Sequence, residues 1–487
     1  MARKIALALG LVLVVLVVAA VAIRSRLSTA NIKATLETQA SAALGEPVRI
    51  GALDVRWFPR PGLTLTQVAV GTSRTLLIDR LVVSTGLRPL LSRHIAEADI
   101  LVEKSRLDAP RFLALLTTPS SSSSASHASG LPLTIDAIRS IALRDVSLVS
   151  GSRTVLVNAD AAYSGNRLDI QRLEARSDIT QLAATGAVKD LSRRICELTI
   201  KARSLNLDEL IEFMAPFSSQ PATPAVPGPS APFDITAHVS AAEGRALGAT
   251  FTDLSTISRV TNGQATLSGL HLKLFGGRAD GDVIVHTSAA VPSYEWRGSF
   301  SGLDVARLLE FAGASNSMTG TLQARGSLRG AGTTMQAAFT QAAGGMQVVV
   351  RDGRVPGLEI VRTVILAFGR PSAERPAGSG EAFTQLAADL TVAGGRASTN
   401  NLTFASRDLD MHGSGAVDLR SQGVDLAVDV ILSPELSAQA GRDLYRYASE
   451  GNRIVLPGRI SGTATRPVVT IDTAKALQRA LQNTLKS

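Results

Sequence analysis

The sequence predicts a mainly β protein with a few helices. An N-terminal transmembrane helix is followed by an elongated antiparallel β-sheet, built from repeated meanders with short amphipathic helices between them. Three observations predict this. Ile5 to Ile23 is a run of 19 residues without a charge. Apolar and polar residues alternate over many short segments, most clearly at Val424, Leu426, Val428, Val430 and Leu432, with Asp425, Ala427, Asp429 and Ile431 on the other face. One meander outline also recurs along the chain.

The first element rests on length. At 1.5 Å per residue, Ile5 to Ile23 spans about 28 Å as a helix, close to the ~30 Å hydrocarbon core of a bilayer. Ile5, Leu9, Leu13, Leu16 and Ile23 mark the anchor, and Arg24 and Arg26 close it. Ala20-Val21-Ala22 resembles a signal-peptide cleavage site, but the apolar run exceeds the usual signal core, which predicts a retained anchor. Two basic residues on each flank leave orientation open by charge alone. A short tail ahead of a long chain favours an N-in topology with the bulk translocated. The regions expected are the tail and anchor over 1–27, a helix with strands over 28–116, and a Ser-rich linker over 117–130. A middle meander over 131–214, a Pro-rich linker over 215–232, and a C-terminal β region with terminal helices over 233–487 complete the chain.

Ser28 to Leu44 places Ile32, Leu36, Ala40, Ala43 and Leu44 on one helical face, with Gly45 as its stop. Strands are predicted at Val48 to Trp57, Leu63 to Val70, Leu76 to Ser84 and Ile95 to Val102, with a turn at Pro59 to Gly62. The Ser-rich and Pro-rich stretches carry too little apolar surface to order themselves. The recurring meander occupies 168–190, 266–286 and 401–419: alternating apolar residues, a polar turn, then a glycine two residues before an apolar strand position. A helical element recurs too, as SLNLDELIEF (204–213) and SGLDVARLLEF (301–311), with Asp208 and Asp304 near the helix starts. An apolar helix is predicted at Leu358 to Phe368, another from Pro434 to Ala448 after a Ser433 cap, and a final amphipathic one after Asp472.

Composition excludes several classes. Hydrophobic residues at 45% and charged residues at 19% exclude general disorder. The net charge is +9, but there is no run of five or more basic residues and no interleaving of bases with aromatics, so no nucleic-acid partner is expected. Catalytic patterns are missing as well. None of the six histidines pairs at metal-ligand spacing, Gly413-Ser414-Gly415 lacks the upstream glycine of a nucleophile elbow, and the glycine-rich 326–332 lacks the Lys-Ser/Thr of a phosphate loop. The chain is expected not to be an enzyme and to hold no cofactor or metal. Cys196, the single cysteine, shares a strand face with Leu198. His271, between Leu270 and Leu272, is expected on the opposite, solvated face.

Several passages resemble the bacterial AsmA-like proteins. They are TGTLQARGSLRGAG (319–332), VRDGRVPGLEIVRTVI (350–365), LTFASRDLDMHGSGAVDL (402–419), LPGRISGTATRPVVTID (456–472), and LGEPVRIGALDVRWFPRPGLTLTQVAV (44–70) behind the anchor and short helix. The resemblance implies a curled, groove-like sheet tethered to the inner membrane and standing in the periplasm. It also implies phospholipid handling that contributes to outer-membrane biogenesis and envelope lipid homeostasis, with room for a periplasmic or outer-membrane protein partner. Under that reading Leu168, Ile170, Leu270, Leu272, Leu274, Leu402, Phe404, Leu426, Val428 and Val430 line the groove. A membrane-anchored scaffold or assembly factor with a closed core fits the same alternation, because a groove wall and a sandwich core have the same period. The anchor is directly testable: protease protection on spheroplasts is expected to show a retained, single N-in segment, and a mature protein beginning near Ile23 in the soluble periplasmic fraction would overturn it.

Overall fold

The structure is a computed structural model that describes residues 29–44, 46–56, 60–71, 76–86, 94–95, 97–111, 134–135, 137–218, 233–246, 248–261, 263–286, 291–332, 341–367, 380–439, 449–450, 453–472, 474–475 and 478. The anchor, the Ser-rich linker, most of the Pro-rich stretch and nearly all of the final helix lie outside these residues. Among the described residues no helix is long and apolar enough to cross a membrane. The chain divides into two units, Met1–Gly248 with Ser258–Asn262, and Ala249–Ile257 with Gly263–Ser487.

The first unit contains α1 (Thr29–Leu44), β1 (Val48–Arg56), β2 (Gly62–Val70), β3 (Leu76–Ser84), β4 (His94–Ile95), β5 (Ala98–Asp108), β6 (Thr134–Ile135) and β7 (Ala137–Ser150). It continues with β8 (Arg153–Ser164), β9 (Arg167–Arg176), β10 (Gln181–Asp190), β11 (Ile195–Asn206), α2 (Leu207–Ser218) and β12 (Asp234–Ala246). Its sheet runs β1, β2, β3, β5, β7, β8, β9, β10, β11, β12, each strand bonded to the next. The ladder is antiparallel except at two junctions, β5–β7 and β11–β12, which are parallel; β4 and β6 form a separate two-residue parallel pair. This departs from the fully antiparallel sheet the sequence predicts, and the reason is connection length. A parallel neighbour requires the chain to return to the end where the earlier strand began. The Ser-rich 117–130 and the Pro-rich 215–232 fall at these two crossovers.

β13 (Ala249–Thr261) contributes residues to both units. The second unit then contains β14 (Gln264–Leu274), β15 (Gly277–His286), β16 (Ser293–Asp304), α3 (Val305–Phe311), β17 (Thr319–Ala331), β18 (Ala343–Val355), α4 (Ile360–Ala367), β19 (Glu381–Ala393) and β20 (Arg396–Ala405). β21 (Leu409–Asp418), β22 (Val424–Leu432), α5 (Pro434–Gln439), β23 (Ser449–Glu450), β24 (Arg453–Thr463) and β25 (Arg466–Ile471) complete it. Here β14 to β22, then β24 and β25, are antiparallel neighbours in chain order, so the helices that come after β16, β18 and β22 all leave from one end of the strands.

Each unit has its own closed core. In the first, Leu36 and Ala40 of α1 pack with Val48, Ile50, Leu63, Leu65, Ile78, Leu81, Val83 and Ile100. In the second, Ile360, Val361 and Val364 of α4 pack with Phe383, Phe404, Met411, Val430, Leu432, Ile454 and Leu456, and the Phe383 and Phe404 rings lie 5.3 Å apart. The caps match the sequence in three places. Asp304 accepts from the Ala306 and Arg307 amides, Ser433 Oγ accepts from the Leu436 amide, and Asp472 Oδ1 accepts from the Lys475 amide. At α2 the cap is Asn206 instead, which accepts from the Asp208 and Glu209 amides; Asp208 itself accepts from the Gly248 amide.

The glycine of the repeated meander has a structural cause. Gly186, Gly281 and Gly415 have φ of 149°, 157° and 150°, a region that side chains avoid. A Cβ at each would press into the carbonyl oxygen of Glu197, Arg297 or Asp425 on the next strand. Each also borders a register skip against the preceding strand, so the bulge and the glycine together turn the sheet without breaking the ladder. Gly415→Ala is expected to cost roughly 2–3 kcal/mol from combined strain and crowding. Gly269→Ala, at φ 59° with open space around it, should cost about 1 kcal/mol. Urea unfolding midpoints of the two variants check the difference.

Candidate functional site: an apolar sheet face

The register of the first sheet brings the apolar residues of ten strands onto one face. One row reads Leu53, Leu65, Leu81, Val102, Leu143, Ala159, Leu173, Ala184, Ile200, Val239, each residue paired with the next. A second reads Val55, Leu63, Val83, Ile100, Ile141, Ala161, Ile170, Gly186, Leu198, Ala237 by the same pairings. Leu168, Val188, Cys196 and Ile235 begin a third over β9 to β12. A slip of one residue at any junction would send the rest to the other face.

Cover over this face is uneven. At β2 and β3 the rows are buried in the core that includes Leu36 and Ala40 of α1, and Leu53 and Val55 of β1 are partly buried against it. Over β9 to β12 the large side chains Leu168, Ile170, Leu173, Val188, Leu198, Ile200, Ile235 and Val239 are only half-buried, although they are as apolar as those under α1. Burial there is completed for small residues such as Ala184, Ala202, Ala237 and Ala241, and for Leu205 at the α2 end of β11.

One end of these strands carries α2, which packs against β7, β8 and β12. A helix of 12 residues is about 18 Å long, which matches the ~19 Å across the four strand spacings from β8 to β12. It is fixed by polar contacts: Ser150 Oγ donates to the Phe213 carbonyl at 2.6 Å, Arg153 binds Glu212 at 2.6 Å, and the buried Glu209 accepts from Ser177 Oγ and Thr180 Oγ1, both at 2.8 Å. Leu210 and Ile211 point outward from it and are exposed.

The second unit has a comparable face on β14 to β17. Leu272, Ala279, Phe300 and Ala324 form one row, Leu270, Gly281, Gly298 and Gly326 the next, and Leu267, Val283, Trp296 and Leu328 the third. Trp296 and Phe300 stack over Gly298 with centroids 4.9 Å apart. These large residues are again half-buried.

The opposite faces are charged and internally neutralised. Arg172 pairs with Glu174 at 2.6 Å and Arg259 with Asp234 at 2.7 Å; Arg144–Asp160 and Lys189–Glu197 also pair. In the second unit Arg459 pairs with Asp425 and Arg453 with Asp410. His271 contacts Asp280 at 2.6 Å on the side away from Leu270 and Leu272, as the alternation predicts. Hydrogen bonds from Arg259 and Arg459 hold the Asp234 and Asp425 carboxyls below the usual carboxylate range. Any stability these exposed pairs contribute is therefore complete above that range and lost as the pH falls through the lowered values. Burial pushes the Cys196 thiol up, away from the reactive thiolate. Among the described residues no cluster of His, Cys, Asp and Glu could hold a metal.

The ten residues expected to line the groove fall in two environments. Leu168 and Ile170 on β9, and Leu270, Leu272 and Leu274 on β14, are half-buried on an apolar face; Leu426 is half-buried at the margin of the second core. Leu402, Phe404, Val428 and Val430 are inside that core, Phe404 at 1% and Val430 at 0% exposure. The anchor positions lie outside the described residues. β11 and β12, which carry Leu198, Ile200 and Val239, belong to the face but not to the predicted lining; the alternation around Cys196 and Leu198 is the signal in the sequence that points to them.

Comparison with known proteins adds one finding. The model of the AsmA family matches residues 1–115, the stretch that holds α1, β1 to β3 and β5, and the chain is AsmA-like there. No curated protein and no solved structure matches the chain.

The two environments predict opposite responses to the same substitution. Val430→Arg places an unpaired charge in a closed core, a cost of several kcal/mol, comparable with the whole stability of a domain. It is expected to abolish folding of the second unit. Ile170→Arg is expected to fold, because the arginine stem can lie along the sheet and carry its charge to water. Circular dichroism and thermal melts of both variants check this.

Proposed function

We propose that this is an AsmA-like protein of the bacterial inner membrane, held by a single N-in anchor with its bulk in the periplasm, that handles phospholipid on the apolar face of its sheet. It thereby contributes to outer-membrane biogenesis and envelope lipid homeostasis. The observation that carries this reading is the run of half-buried Leu, Ile and Val rows over β9 to β12, with no apolar cover among the described residues, while the same rows at β2 and β3 are sealed. Laying an acyl chain there removes apolar area from water at about 25 cal/mol per Å² on both surfaces. The uncharged Ile5 to Ile23 and the AsmA match over residues 1–115 support the membrane setting. The role needs no catalytic group or cofactor.

A second reading, a membrane-anchored scaffold, is favoured by one observation, the closed core around Phe404 and Val430. The two are separated by a photo-crosslinking amino acid placed in the full-length protein in cells, at Ile200 on the apolar face or Thr199 on the polar face. Phospholipid adducts at Ile200 and not at Thr199 are expected; adducts at neither, or equally at both, would overturn the lipid reading.

A further inference from the structure

The apolar face over β9 to β12 has two unlike ends. At one, the β9–β10 turn (177–180) meets α2; at the other lie the β8–β9 turn (165–166), the β10–β11 turn (191–194) and the start of β12. The α2 end is tied down. Glu209 of α2 accepts from both hydroxyls of the β9–β10 turn, and Thr180 Oγ1 of that turn accepts from the Asn206 amide at 3.1 Å. Along β11 the residues of the face pass from half-buried Cys196, Leu198 and Ile200 to buried Ala202, and Leu205 beside α2 is buried as well. The row at the opposite end, Leu168, Val188, Cys196 and Ile235, stays half-buried throughout among the described residues. From Cys196 in that row to Ala202 near α2 the strand runs about 20 Å. One leaflet of a bilayer core is about 15 Å thick, so an acyl chain fits along the strands.

Charge separates the ends as well. α2 brings Asp208, Glu209 and Glu212 and no base; Arg153 and Arg245 from neighbouring strands pair with these carboxylates. In the β10–β11 turn the balance is reversed. Asp190 Oδ1 accepts from the Ser192 and Arg193 amides at 2.8 and 2.9 Å and from Asn166 Nδ2 at 2.9 Å, so its carboxylate is occupied in knitting the two turns together. The Arg193 side chain is 78% exposed, and its guanidinium stands 3.9 Å from Asp190, beyond hydrogen-bond range. The neighbouring bases Arg167, Lys189 and Arg259 are each closely paired with a carboxylate. Arg193 therefore has a forked set of donors to offer, and a phosphate is the group that such a fork fits.

We propose that a phospholipid lies along β9 to β12 with its phosphate at the β10–β11 turn, bound by Arg193, and its acyl ends pointing to α2. The proposal rests on the lipid reading above and adds to it the polarity of the bound molecule and the residue that reads its headgroup. α2 sets the polarity twice over: it ends the apolar face, and its three carboxylates repel a phosphate.

Two phosphatidylethanolamine probes test the polarity, one with a photoreactive diazirine on the headgroup and one with it at the acyl terminus. Each is placed in nanodiscs with the full-length protein, and the crosslinked residues are mapped by mass spectrometry. The headgroup probe is expected to mark 191–194, and the acyl probe Leu182 and Ala202. The reverse order, or the same residues marked by both probes, would overturn the polarity and leave the lipid reading standing. Adducts from neither probe on β9 to β12 would overturn both. A second arm uses the crosslinker at Ile200. Arg193→Glu should lower phospholipid capture roughly fivefold, the order of one exposed ion pair, and Arg193→Lys, which keeps the charge, should retain most of it. Arg203→Glu, an equal charge change on the polar face near α2, should leave capture unchanged. Equal capture by Arg193→Glu and the wild type, or an equal loss in Arg203→Glu, would overturn the role of Arg193.

Discussion

Strand register is the constraint on which everything else in this protein depends. Side chains of a strand alternate with a period of two, so ten neighbouring strands keep one apolar face only if every junction holds its pairing. Bulges threaten that order, because each extra residue flips the side chains beyond it to the other face. Here they are placed where the flip is absorbed. In the meanders of 168–190 and 266–286, two residues are skipped rather than one, at 171–172 against Ala184 and Gly186 and at 268–269 against Val283 and Gly281, and the apolar side chains beyond the skip return to the same face. The positive-φ glycine beside each skip lets the backbones close up where a Cβ would not fit. Repetition of the device explains why an otherwise bland sequence recurs with so little chemical content.

Given such a face, its fate depends on the element lying above it. Two helices with apolar faces, α1 and α4, convert the rows under them into closed cores. α2 does not, since its inward anchor is the buried Glu209 with two hydroxyl partners, while Leu210 and Ile211 face outward. It borders the strands at one end, and among the described residues the large side chains in the middle of the face stay half-buried. The contrast between β1 to β3 and β9 to β12 is therefore one of cover and not of sequence composition, which is why an acyl chain is a chemically suitable occupant for one and not the other.

The same distinction separates the legible parts of the sequence from the silent ones. The strands at Val48–Ser84, in the three meanders and at Val424–Leu432, the apolar helix at Ile360 and the caps at Asp304, Ser433 and Asp472 are legible, because each rests on local periodicity or a local hydrogen bond. The parallel junctions at β5–β7 and β11–β12 are not, since a low-complexity stretch carries no signal for the direction in which the chain returns. The cap of α2 is Asn206 and not Asp208, whose carboxylate is spent on the Gly248 amide of another segment. The division of the lining is invisible for a deeper reason. Val430 and Ile170 sit in the same alternating pattern, and the tertiary placement of α4 and the core around it seals the first while nothing comparable among the described residues covers the second.

The polar contacts between α1 and β1 bear on the protein's behaviour in a crowded compartment. Among the described strands β1 is bonded to β2 alone, and an edge strand offers its free amides and carbonyls to any extended chain that drifts past. Ser41, Glu37 and Lys33 occupy the Val48, Ile50 and Gly51 positions of that edge, so the helix that shields the apolar rows also blocks templated strand addition. Truncation or oxidative damage that removes α1 would uncover a sticky edge and apolar core residues together, and the natural outcome would be coaggregation with other partly folded chains. One element sixteen residues long thus guards both the edge and the face.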